Sequence, residues 1–85
     1  MNSEEFIQAC EDGKTLVWGH EGLKTVKKND STKKISCIDF ESGVAIVFDR
    51  VEKCGDMNVF MMIGDNAVGV IPTESWELLI KEVKE

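Results

Sequence analysis

Two β-rich runs, Ile35 to Phe40 and Val44 to Val51, stand on either side of Glu41-Ser42-Gly43. Side chains alternate across an extended strand, so the length of the turn between two such runs dictates which residues face the same way. A three-residue loop with Gly43 at positive φ pairs Phe40 with Val44. That register places Ile38, Phe40, Val44, Ile46 and Phe48 on one face, with Cys37, Asp39, Ala45, Val47 and Asp49 on the other. A two-residue loop would mix Arg50 and Asp39 among the large apolar groups, so the bulged hairpin is preferred. The first face reads as core and the second as only partly wet. A chain built around this hairpin is committed to an antiparallel sheet.

The flanking segments supply further strands. Thr15 to Trp18 is β-rich, Gly19 to Gly22 reads as a turn, and Leu23 to Lys28 is a second extended piece. Its lysines suit a sheet edge, where charge discourages pairing with another molecule. Asn29-Asp30-Ser31-Thr32 is a loop by composition. After the polar link Glu52 to Asp56, the run Met57 to Ile63 is apolar on both faces, the pattern of a strand in the middle of a sheet. Gly64-Asp65-Asn66 then turns the chain into Ala67 to Ile71, where Gly69 marks a bulge or a close backbone approach and Pro72 ends the strand.

Helical signals sit at the two ends. Asn2 with Glu5 three residues later forms a capping box, Phe6, Ala9 and Cys10 follow at helical spacing, and Gly13 is a stop. These predict a helix over 3–12. Thr73 reads as an N-cap with Glu74 and Glu77 in the first turn, and Trp76, Leu79, Ile80 and Val83 recur at i, i+3, i+4 and i+7. These predict a C-terminal helix. The expected architecture is α+β: an antiparallel sheet of five to six strands, a meander or half-barrel, flanked by an N-terminal and a C-terminal helix. At 85 residues, one domain over 1–85 with one modest core is the expectation, and a large internal pocket is not.

Sixteen Asp and Glu against ten Lys and Arg leave a net charge of -6, unevenly placed. Residues 1–13 carry four acids and no base, whereas Lys24, Lys27, Lys28, Lys33 and Lys34 gather between Glu21 and Ser36. Such an acidic surface repels phosphate backbones and favours basic partners. The start, Met1-Asn2-Ser3-Glu4-Glu5, is acidic where a signal peptide would be basic, and no apolar run approaches the ~20 residues of a membrane span. Three cysteines, Cys10, Cys37 and Cys54, form no compact framework, so a cytoplasmic protein with reduced thiols is expected.

No residue pattern carries catalysis. His20 is the one imidazole, and neither it nor any cysteine lies in a nucleophile motif. Cys10, His20, Cys37 and Cys54 lack the close ligand pair of a structural zinc site, so two small buried thiols, a surface thiol at Cys54 and a turn histidine are the plainer reading. Asp39 and Asp49 read as a solvated sheet face rather than an acid–base pair. Gly13-Lys14-Thr15 has the tail of a phosphate loop, but Gln8 stands where its first glycine belongs. The lysine patch, with Trp18 beside it, sits on an acidic chain without tyrosine, so nucleic-acid binding is an unfavoured third reading.

The expectation is therefore a non-enzymatic protein-binding module without cofactor or metal, such as a small acidic inhibitor, an immunity or antitoxin-type factor or a phage accessory regulator. It would dock a basic partner protein through Glu4, Glu11 and Asp12 on the first helix and Glu74 and Glu77 on the last. A bare sheet edge would add backbone bonds. The alternative is a small ligand-binding or catalytic domain with its site at a homo-oligomer interface, suggested by the surplus of Met57, Phe60, Met61 and Met62.

Overall fold

The computed structural model describes residues 1–19, 24–74 and 78–81. Helix α1 spans Ser3–Glu11. Asn2 caps it through its side chain, which accepts from the Glu5 N–H at 2.8 Å, while the Glu5 carboxylate accepts from the Asn2 N–H at 3.3 Å. At the other end Gly13, with φ of 76°, donates to the Cys10 carbonyl, and Lys14 donates to that of Ala9. This pair of bonds is a Schellman closure, and the left-handed turn it needs is what glycine supplies. The helix start is fixed to the link before a later strand, because the Ser3 N–H donates to the Asp56 carbonyl at 2.7 Å and its hydroxyl to that of Gly55 at 2.9 Å.

Eight strands follow among the described residues: β1 Thr15–Trp18, β2 Lys24–Lys28, β3 Ile35–Asp39, β4 Val44–Phe48, β5 Arg50–Lys53, β6 Asn58–Ile63, β7 Asn66–Pro72 and β8 Leu79–Lys81. They make two antiparallel sheets, one ordered β4-β3-β2-β1-β8 and the other β5-β6-β7. Both are meanders except that β8 returns to pair with β1. The long second arm of the expected hairpin is divided at Asp49, whose N–H turns to the Met62 carbonyl at 2.8 Å, so β4 serves the first sheet and β5 the second.

Helix α1 contacts β1 and β2 of one sheet and β5 and β6 of the other. Phe6, Ala9 and Cys10 point from it into a core completed by Leu16, Val26, Ile35, Phe48, Val59, Met61, Ile71 and Leu78. Phe6, fully buried, contributes about 1.5–3 kcal/mol through the apolar surface it removes from water.

Four expectations are corrected. The C-terminal helix is not formed over its central residues: Leu79 and Ile80 pair with Val17 and Leu16 as a strand. Thr73 is buried with its N–H on the Met57 carbonyl, which extends the β6–β7 pairing, and the first turn expected after it falls on residues 75–77, outside the described residues. The described strands number eight in two sheets rather than five to six in one. Strand β2 lies between β1 and β3 rather than at an edge, because Val26 fills the core while Lys24 and Lys27 keep their ammonium groups in water.

The hairpin register is the fourth correction. Val44 pairs with Asp39, so Ile35 faces Phe48 and Cys37 faces Ile46, while Ile38 joins Ala45 on the other face. The Asp39 carboxylate accepts from the N–H groups of Glu41 and Ser42, at 3.0 and 3.4 Å, and Gly43 closes onto the Asp39 carbonyl with φ of 75°. The aspartate side chain thus starts the turn one residue early, making the loop Phe40 to Gly43.

Candidate functional site

Of the contacts expected on the first helix, Glu4 and Asp12 line one groove and Glu11 does not. Glu4, Gln8 and Asp12 recur every four residues, one helical turn apart, and with Glu5 they form one wall of an open groove of about 370 Å³. Ala9 and Ile80 give the groove its apolar surface, and Lys14 lies at its end beyond the helix. Ile80 is 44% exposed, which for a strand residue beside the core leaves an apolar lip in water.

Hydrogen bonds hold the carboxylates in place. Gln8 donates from Nε2 to Asp12 Oδ1 at 2.9 Å. Glu4 meets Lys53 Nζ at 3.3 Å, and the same ammonium lies 3.5 Å from Asp56. Glu4, and after it Asp56, hold the Lys53 ammonium above the ordinary lysine value. Glu4, Glu5 and Asp12 thus border the groove with Lys14 at its end, and Lys53 pairs with Glu4 from outside the lining.

The remaining predicted contacts lie elsewhere. Glu11 borders a separate crevice of about 110 Å³ with Ile7, Cys10, Lys28 and Arg50. Glu74 is exposed after β7 and does not line the groove. Glu77 lies outside the described residues, as does His20. The sequence puts Glu5 only in the cap, and Gln8 on the polar side of the helix with Glu4, Glu11 and Asp12. Ile80 could not be found that way, since the groove's second wall exists only once β8 pairs with β1.

Other constellations separate in space. Burial pushes the Cys10 thiol up to about 12, with Lys28 opposing and Glu11 adding to the shift, so at neutral pH it is a core thiol. Burial raises Cys37 as well. Cys10, Cys37 and Cys54 are all free thiols. Among the described residues, no group of three or more His, Cys, Asp or Glu is arranged to hold a metal ion. The lysines between β1 and β4 do not form one surface: Lys34 is bonded to Asp49 at 2.6 Å, Lys28 enters the Glu11 crevice, and Lys24 and Lys27 alternate across β2. Trp18 packs half-buried against the core. No described helix is long and apolar enough to cross a membrane.

Comparison with protein-family models, with curated proteins and with solved structures finds no match.

Proposed function

We propose that this chain is a non-enzymatic protein-binding module, of the small acidic inhibitor or accessory-regulator kind, whose α1–β8 groove receives a basic segment of a partner protein. The observation that carries the reading is the groove itself, with Glu4, Glu5 and Asp12 around Ala9 and Ile80. A lysine or arginine side chain has this same division, an apolar stem and a cationic head. Its stem would lie on Ala9 and Ile80 while its head met the carboxylates. Opposite charge would speed encounter with such a partner more than it would add final affinity.

The expected contacts are narrowed to Glu4 and Asp12, with Glu5 joining them. Affinity capture from nuclease-treated lysate of the source organism tests this, using wild type, Glu4→Lys/Asp12→Lys and Glu11→Lys. The groove variant should lose a protein partner that wild type and Glu11→Lys both retain. Equal capture by all three would remove the groove from consideration.

The interface-site alternative keeps only part of the feature that suggested it. Strand β6 lies between β5 and β7, and Met61 and Met62, on opposite faces, are both buried within one chain. Met57 is 44% exposed and Phe60 half-buried, so only Met61 and Met62 of that surplus belong to the core.

A further inference from the structure

Strand β4 ends the five-stranded sheet and has β3 as its one neighbour among the described strands. Its first four residues, Val44-Ala45-Ile46-Val47, are all exposed, Val44 at 56% and Val47 at 54%. Phe40, in the turn leading to it, is 60% exposed. Edge strands left open to water are ordinarily blunted by a lysine, a proline, a bulge or brevity. Between Glu41 and Asp49 this strand has no charge and no proline, and its pairing with β3 is regular over all five residues. An edge of this kind templates another strand.

We infer that the occupant is β4 of a second copy, aligned antiparallel about a two-fold axis at Ile46. Self-pairing of one strand is isologous and closes at two copies, so it removes both edges without propagating. In this register Val44 of each copy lies opposite the other's Phe48, and Ala45 opposite the other's Val47, so every cross-strand pair is apolar. Charge selects the antiparallel sense. Glu41 stands in the turn just before the strand, and a parallel arrangement would set it against its own copy. The antiparallel arrangement carries it to the far end, where Asp49 is paired with Lys34 at 2.6 Å and Glu52 with Arg50 at 2.9 Å. The product is one ten-stranded sheet with the α1–β8 groove of each copy at its outer ends, so dimerisation leaves the proposed partner site open.

Sedimentation over a concentration series, from micromolar to millimolar, tests the inference on the full chain. Wild type should pass from monomer to a discrete dimer. Val47→Lys, which sets an ammonium on the joined edge, should weaken association about tenfold or more. Val44→Lys gives an independent reading if the first variant unfolds, and Val70→Lys, on exposed β7, should leave association unchanged. Hydrogen exchange at residues 44–48 should slow as concentration rises. A wild type that stays monomeric throughout, or a dimer indifferent to both β4 variants, overturns the inference. Because the groove variants Glu4→Lys and Asp12→Lys do not touch β4, loss of partner capture and loss of the dimer are separable results.

Discussion

Gly69 shows how closely one residue can be specified. Its φ is not in the left-handed region, so glycine is not there for backbone freedom. A Cβ built on it would collide with Met61 Cε across the β6–β7 pair, directly before the point where the register slips between Met61 and Met62. Methionine is flexible, but Met61 is itself buried in the core and has little room to retreat. Gly69→Ala should therefore destabilise the fold by about 1–3 kcal/mol, read as a lowered urea midpoint with unchanged slope. Sequence spacing alone marked Gly69 as a bulge or a close approach; it turns out to border one and to be the other.

At the scale of elements, the corner between β4 and β5 depends on Asp49. Its carboxylate accepts from Lys34 Nζ at 2.6 Å and from the Gly64 N–H at 2.9 Å, which joins the β2–β3 loop to the β6–β7 turn. The Lys34 hydrogen bond first, and the Gly64 N–H second, hold this carboxyl below the usual aspartate value. A carboxyl depressed in the folded state contributes stability above its unfolded pKa, about 3.9, and loses it as pH falls through the folded value. Asp49→Asn should therefore lower stability at neutral pH and flatten the acid limb of a urea-midpoint profile. An unchanged acid limb would mean that other carboxylates govern acid unfolding. The partial burial of Asp39 pushes its carboxyl up, but the N–H bonds of Ser42 and Glu41 outweigh it and hold it low as well. Both turns of the first hairpin arm are thus anchored by aspartate side chains rather than by glycine alone.

Across the whole molecule, the net charge of -6 acts on the two proposed contacts with opposite signs. Docking of a basic segment in the groove is an attraction that salt screens, so partner affinity should fall as salt rises. Pairing of two β4 edges brings together two chains of like charge through an uncharged strand, so dimerisation should strengthen as salt rises. Measuring both constants at low and high sodium chloride separates them in one experiment. Constants that move in the same direction would show that one of the two surfaces has been misassigned.

The sequence by itself determined α1, because its cap, apolar stripe and terminating glycine all act within one or two helical turns. Most strands were legible for the same reason: Met57 to Ile63 announced a central strand, and β6 lies between two neighbours. What it left undecided was the run Leu78-Leu79-Ile80, where three consecutive apolar residues satisfy a helical stripe and a strand equally well. Only the folded sheet resolves that choice, since the open edge of β1 supplies backbone partners from about sixty residues away. The hairpin register slipped because the Asp39 side chain bonds, which alternation does not encode, moved the turn by one residue. The candidate site divides along the same line. Its acids belong to one helix and could be read in order, whereas the apolar lip at Ile80 and the bare edge at β4 exist only after distant strands have chosen their neighbours.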